Sequence, residues 1–85
     1  MATESVPTAP ELLAHVTDLR ADADRMDGYA RRLRGAATTL DGRAGTPEWT
    51  GAALERHAAA CATAAAGLRA AAAALLFHAT QRPPP

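Results

Sequence analysis

The chain has 85 residues and no net formal charge, with nine acidic residues and nine basic ones, all of them arginine. A chain of this length forms one domain with a thin core, and its neutrality argues against a general attraction for nucleic acid or acidic membranes. The single cysteine, Cys61, excludes an internal disulfide framework.

The N-terminal residues are polar and contain proline, and we expect residues 1–8 to form a flexible arm. They lack the basic region and apolar core of a Sec signal peptide, so we expect any export to use another route. Thr8 and Glu11 match a capping box, in which each side chain bonds the other residue's backbone N–H. Helix 1 is therefore predicted over about 9–41.

A seam of apolar or small residues runs along helix 1 in alternating steps of four and three. This is the heptad spacing by which one helix packs along another. The seam consists of Leu12, Val16, Leu19, Ala23, Met26, Ala30, Leu33, Ala37 and Leu40. Charges lie off the seam, and the i,i+4 spacing predicts the intrahelical pairs Arg20–Asp24 and Asp27–Arg31.

The face opposite the seam carries a stripe of small residues at heptad spacing: Ala14, Ala21, Gly28 and Gly35. Each glycine inside a helix costs about 1 kcal/mol relative to alanine. Two interpretations remain open, a solvent-facing stripe or a groove where another helix approaches closely.

A break follows at Asp41–Gly45, where Gly42 and Gly45 can supply the left-handed backbone common at helix ends. The predicted turn spans 42–48 and is short, so helix 2 returns antiparallel. Thr46 is a candidate cap and Pro47 suits a first helical position. Helix 2 is predicted over about 49–79.

The seam of helix 2 has the same spacing but smaller side chains. It consists of Leu54, Ala58, Cys61, Ala65, Leu68, Ala72, Leu75 and Ala79. From Ala58 to Phe77 nearly all residues are apolar, apart from Thr63 and Arg69. A helix that is apolar all round is usually buried all round, which one partner helix cannot achieve. We expect Leu76 and Phe77 to face a further partner.

A membrane span is the alternative for this segment, since Ala58–Ala79 is long enough to cross a bilayer. Its many alanines favour insertion only weakly, and Arg69 near the middle would cost roughly 2.5–3.5 kcal/mol. We therefore favour a packed helix. Residues 80–85 contain three prolines and are predicted to be a disordered tail.

The predicted fold is all-α, an antiparallel two-helix hairpin over residues 9–79. A chain this small, with one shared seam and few large apolar side chains, often completes its core by association. Two such hairpins would form a four-helix bundle.

Between the helices lies Trp49-Thr50-Gly51, which contains the only tryptophan of the chain. Two heptad helices joined by a Trp-X-Gly turn, the second rich in alanine, resemble the WXG (Trp-X-Gly) family. These are small early-secreted-antigen-like proteins of type VII secretion systems. The resemblance covers roughly Glu11 to Ala79.

The resemblance implies a hairpin that pairs with a second small hairpin, as homodimer or heterodimer, and is exported folded from the cytoplasm by type VII machinery. It implies that Trp49 and Gly51 form half of an export signal. The other half would be a Tyr-X-X-X-Asp/Glu motif near the partner's C-terminus. This chain departs from the pattern, because no tyrosine follows helix 2 and Tyr29 lies within helix 1. A partner bearing that motif is therefore expected.

Other chemistry has weaker signals. His57 and Cys61 have metal-ligand spacing, but a structural zinc site needs four ligands. His15 and His78 lie at helix ends that an antiparallel hairpin brings together, and we expect two solvated side chains there. The Arg31, Arg32 and Arg34 cluster is expected to be a solvated face, with no nucleic acid partner.

No nucleophile–base–acid set is evident, and Gly42-Arg43-Ala44-Gly45 lacks the Lys-Ser/Thr of a P-loop. The sequence thus predicts a non-enzymatic protein without metal or cofactor, and the resemblance implies a type VII secretion substrate or its partner. The alternatives are an intracellular self-associating scaffold and an adaptor that binds the helical N-terminus of a larger secreted toxin.

Overall fold

A computed structural model describes residues 6–81 of the chain. Helix α1 spans Ala9–Leu40 and helix α2 spans Thr50–Gln81, each with 32 residues, and the two pack along each other. At 1.5 Å per residue each helix is about 48 Å long. The all-α hairpin is confirmed, whereas its association into a four-helix bundle stays a prediction. The outer parts of the predicted arm and tail, residues 1–5 and 82–85, lie outside the described residues.

The start of α1 follows from its sequence. The Thr8 hydroxyl accepts from the Glu11 N–H at 3.2 Å, and the Glu11 carboxylate accepts from the Thr8 N–H at 3.3 Å. This is the predicted capping box, which satisfies two N–H groups that the helix itself cannot bond. Pro10, which has no N–H, lies in the same first turn.

The end of α1 depends on two glycines. The Asp41 N–H bonds the Ala37 carbonyl at 3.0 Å, and the Arg43 N–H bonds the Leu40 carbonyl at 3.1 Å. Gly42 and Gly45 then adopt positive φ angles of 74° and 87°. Residues with a Cβ rarely adopt this conformation, so both positions require glycine and the chain reverses within a short turn.

The start of α2 differs from the prediction. The first helical bond runs from the Ala53 N–H to the Trp49 carbonyl at 3.0 Å, so Trp49 and not Thr46 occupies the capping position. Pro47 lies before the helix. Its carbonyl accepts a hydrogen bond from the Thr50 N–H at 3.1 Å, which closes a separate turn. At the other end α2 runs two residues beyond the predicted limit, to Gln81, since the prolines begin only at position 83.

The core lies along the predicted seam, but its fully enclosed part is made of small residues. Buried positions are Leu12, Val16, Ala23, Ala30, Ala58, Ala65 and Ala72. The other seam residues are half-buried: Leu19, Met26, Leu33, Ala37, Leu40, Leu54, Cys61, Leu68, Leu75 and Ala79. Two helices can exclude water only from the line between them, so the bulkier side chains extend past that line.

Candidate recognition surface

The seam of each helix consists of two columns, whose members recur every seven residues. The alanine columns are Val16, Ala23, Ala30 and Ala37 on α1, and Ala58, Ala65, Ala72 and Ala79 on α2. The leucine columns are Leu12, Leu19, Met26, Leu33 and Leu40 on α1, and Leu54, Cys61, Leu68 and Leu75 on α2. Because the helices are antiparallel, the two alanine columns share one side of the hairpin and the two leucine columns share the other.

Interhelical ion pairs mark the side of the alanine columns, here called the ion-paired side. The Arg34 Nε lies 3.2 Å from Glu55 Oε1. One Arg69 Nη2 lies 2.6 Å from Asp27 Oδ2 and 2.8 Å from Asp24 Oδ1. Asp27, Arg34 and Arg69 lie four residues after an alanine-column residue, and Glu55 lies three residues before one. These four side chains therefore flank the alanine columns on the same side and reach across the small residues.

Arg69 joins the helices more than any other charged side chain among the described residues. Its two carboxylate partners raise the pKa of its guanidinium, Asp27 more than Asp24. The predicted intrahelical pairs Arg20–Asp24 and Asp27–Arg31 are wrong, because both carboxylates turn toward α2 instead. All three side chains remain partly exposed to water, so the cluster contributes modestly to stability.

The opposite surface, the leucine side, has no such cover. Within residues 6–81 no recorded ion pair joins the helices there. The flanking positions within the helices, three residues after each leucine-column residue, are His15, Asp22, Tyr29 and Ala36 on α1 and His57, Ala64, Ala71 and His78 on α2. The leucine side is therefore an apolar strip, mostly half-buried in the isolated hairpin, whose edges carry both small or aromatic residues and polar ones.

The tip of the hairpin presents the Trp-X-Gly residues. Trp49 is 67% exposed, so its ring does not cover the end of the helix pair. Gly51 has ordinary helical backbone, and a Cβ added there would meet no atom within 4 Å. Gly51 also borders a notch of about 380 Å³ whose walls include Leu40, Arg43 and Pro47. Neither motif residue is required by the packing of the hairpin itself.

The two residues predicted to face a partner lie far from this tip. Leu76 is half-buried and belongs to the ion-paired side, while Phe77 is 67% exposed on the outer surface of α2. At 1.5 Å per residue, Phe77 is about 42 Å from Trp49 along the helix. Within a single hairpin, Leu76 and Phe77 therefore do not belong to the same surface as Trp49 and Gly51.

The remaining candidate residues stay separate. His15, His57 and His78 are exposed and Cys61 is half-buried, and the described part of the chain holds no group of three or more residues suited to a metal ion. The arginine cluster is dispersed, because Arg34 pairs with Glu55 and Arg32 stacks 5.2 Å from the centre of the Tyr29 ring.

Reasoning from the sequence missed the interhelical ion pairs. A signal was present, since Asp27, Arg34 and Arg69 each stand four residues after an alanine-column residue. In an antiparallel pair these positions face each other across the seam, so opposite charges there indicate contact between helices and not within one.

By length and composition α2 could also cross a membrane, and it is the one such helix found among the described residues. Insertion of α2 would have to separate Arg69 from its two carboxylates, which the hairpin keeps together. In comparisons with known proteins, no family model, curated protein or solved structure matches this chain.

Proposed function

We propose that this protein is a non-enzymatic recognition hairpin of a type VII secretion system, either a substrate or the partner of one. It pairs with a second small hairpin through its leucine side and presents Trp49 and Gly51 as part of the export signal. The proposal rests on the resemblance of the Trp-X-Gly turn and the flanking heptad helices to the WXG family. It places the protein first in the cytoplasm and then outside the cell by a route other than Sec.

The observation that carries the proposal is the exposure of Trp49. An indole that is 67% exposed loses most of the stabilisation that burial would give it. Trp49 supplies its carbonyl to the first turn of α2, which any residue could do. Most of its large side chain is therefore not packed within the isolated hairpin, and contact with another protein is the role we propose.

Gly51 supports the same conclusion. Replacement of glycine by alanine at a position whose backbone alanine can adopt stabilises a protein by about 0.4–1 kcal/mol, and the hairpin has room for a Cβ at this position. The fold would therefore accept the more stabilising alanine at position 51, yet the chain has glycine there. We propose that a partner's backbone approaches Gly51 closely, beside the notch at the tip.

The first test is Trp49→Ala in a host with an active type VII system, with a second small hairpin of that system co-expressed. We expect unchanged helicity by circular dichroism and loss of export or of pairing. Leu13→Ala is the control, because Leu13 is a large apolar residue, 43% exposed, that lies on the ion-paired side of α1 and outside the motif. Loss of the helical signal in Trp49→Ala would assign the indole to folding instead.

Gly51→Ala provides an independent test of the motif. The variant should be more stable than the wild type by about 0.4–1 kcal/mol in urea unfolding, while export or pairing falls. Gly35→Ala is the control, since a Cβ there also meets no atom within 4 Å but the residue lies in α1, away from the tip. Full export of Gly51→Ala would contradict the proposal, and export unaffected by either motif variant would favour an intracellular scaffold.

A further inference from the structure

We infer that the open end of the hairpin binds an amphipathic helix of another protein, in an apolar groove on the ion-paired side. The open end is the one that holds the start of α1 and the end of α2. The inference goes beyond the proposed function and is independent of it, because the groove lies outside both the leucine side and the Trp-X-Gly turn. A hairpin whose leucine side is covered still has this surface free.

The charged cover of the ion-paired side stops before the open end. The Arg34 Nε lies 3.2 Å from Glu55 Oε1. The helices are antiparallel and keep heptad spacing, so a step of three heptads from this pair toward the open end leads to Leu13 and Leu76. Two leucines thus occupy the positions that oppositely charged residues hold nearer the tip. Among residues 6–81 no recorded ion pair reaches across the alanine columns there.

The leucines form the walls of a groove whose floor is made of small residues. Ala72, in this part of the floor, is completely buried between the helices. Phe77 extends the α2 wall outward and is 67% exposed. The small, exposed Ala73 lies between Phe77 and Leu76 around the helix. An apolar strip therefore runs from Leu13 across the groove to Phe77.

Large apolar side chains remain in water mainly at this end of the molecule. Five of them are well exposed among residues 6–81. Leu13 and Phe77 lie on the strip, and Val6 lies three residues before α1. The other two are separate, with Trp49 at the tip and Tyr29 on the edge of the leucine side. Exposed apolar side chains that cluster in this way mark an interaction site.

An arginine without a recorded ion pair lies at the inner end of the groove. Asp27 bonds Arg69 at 2.6 Å. One heptad nearer the open end, the same positions are held by Arg20 and Leu76, so the arginine adjoins the strip. The carboxylate of Asp24, which the sequence pairs with Arg20, bonds Arg69 instead at 2.8 Å. Arg20 is exposed and therefore offers an unused positive charge beside the apolar groove.

These features specify what occupies the groove. A floor of small residues between two leucine walls fits the apolar face of a third helix, whose side chains recur at i, i+3, i+4 and i+7. Leu13 and Arg20 are about 10 Å apart along α1, so the apolar face of the occupant spans about two turns. An acidic residue at its C-terminal end pairs with Arg20, and the helix dipole adds negative charge at the same end.

A membrane surface fits the groove less well than a helix does. Anionic lipid would be attracted to Arg20, but the first part of α1 also carries Glu11, Asp18 and Asp22, and the chain has no net charge. A flat bilayer would touch the walls of the groove without filling it. A docked helix fills the groove and contacts both walls.

The test uses a synthetic helical peptide of about 16 residues, with leucines at i, i+3, i+4 and i+7 followed by two glutamates at its C-terminal end. A second peptide has arginines in place of the glutamates. Binding of each labelled peptide to the purified chain is measured by fluorescence anisotropy. We expect the glutamate peptide to bind more tightly. In Arg20→Glu this preference should reverse, and the glutamate peptide should bind about fivefold more weakly than it binds the wild type.

Phe77→Ala should weaken the binding of both peptides by about tenfold, because it removes the aromatic side chain of the strip. Tyr29→Ala is the matched control, since Tyr29 is an exposed aromatic residue outside the groove. Arg56→Glu repeats the charge reversal at an exposed arginine near the tip that has no recorded ion pair. Neither control should change binding. Circular dichroism of each variant establishes that its helices are intact.

Failure of both peptides to bind the wild type would overturn the inference, as would an unchanged peptide preference in Arg20→Glu. A larger loss in Tyr29→Ala than in Phe77→Ala would place the peptide on the leucine side and would also contradict it. Binding to phosphatidylglycerol vesicles that depends on Phe77, without peptide binding, would identify a lipid surface instead. None of these results bears on the proposed function, because pairing and export of the hairpin itself are assigned to the leucine side and to Trp49.

Discussion

The ion-paired side and the leucine side of the hairpin have the same heptad spacing but different side chains and different exposure. On the ion-paired side, Ala23, Ala58, Ala65 and Ala72 are completely inaccessible to solvent, and charged side chains reach across them. On the leucine side, larger side chains remain half-exposed. The small residues thus close the contact between the two helices, while most of the larger apolar side chains keep part of their surface in water.

The comparison shows how a chain with few bulky residues can still specify a surface. A close approach of two helices needs small residues on one column of each, because any larger side chain would push the axes apart. Burial of the remaining apolar area then requires a further layer of helices, as four-helix bundles provide. The closed packing and most of the remaining apolar area therefore lie on opposite sides of the same hairpin, and our proposal assigns recognition to the second of them.

The largest expected effect comes from truncation on the leucine side. If pairing covers that side, Leu33→Ala should cost about 2–5 kcal/mol in urea unfolding at high protein concentration. In the isolated hairpin Leu33 is only half-buried, so the cost should fall to about 1 kcal/mol on dilution. Leu13→Ala is the control, because Leu13 lies on the other side at 43% exposure and its effect should not depend on concentration. A concentration-independent cost for Leu33→Ala would mean that the leucine side is not an interface.

Enlargement of an alanine-column residue should be the next largest effect. Ala65 is completely buried between the helices, and Ala65→Leu should destabilise the hairpin by about 1–3 kcal/mol through overpacking. The measurement is the shift of the urea midpoint. Ala66→Leu adds the same side chain at the next, exposed residue and should be nearly neutral. Equal effects at the two positions would show that the columns do not pack as described.

The smallest effect is expected on the ion pairs. Arg69→Ala removes the contacts to Asp24 and Asp27 and should lower the Tm slightly, since exposed ion pairs contribute little in water. The difference in Tm between Arg69→Ala and the wild type should become smaller in high salt, because salt screens exposed charges. Arg56→Ala removes an exposed arginine without a recorded ion pair and should leave the Tm unchanged. A large loss that is insensitive to salt would instead indicate that the Arg69 stem is essential for packing.

Much of the architecture was predictable because it depends on local chemistry. The capping box of Thr8 and Glu11, the glycines that end α1 and the heptad seam are all properties of neighbouring residues. The start of α2 was placed less well, since Thr46, Pro47 and Trp49 each suit a helix start. Only the folded backbone decides which carbonyl accepts the first helical bond.

The amino-acid sequence by itself determined two long helices, a short turn between them and the residues that form their seam. The tertiary structure decided how the columns of that seam are matched. Antiparallel packing sets alanine against alanine, turns Asp24 and Asp27 from their own helix to Arg69, and leaves most of the leucine columns half-buried and Trp49 exposed. The physical reason is that helical periodicity fixes directions within one helix, whereas contacts between helices depend on their relative rotation and register. Those are set only when the two surfaces meet.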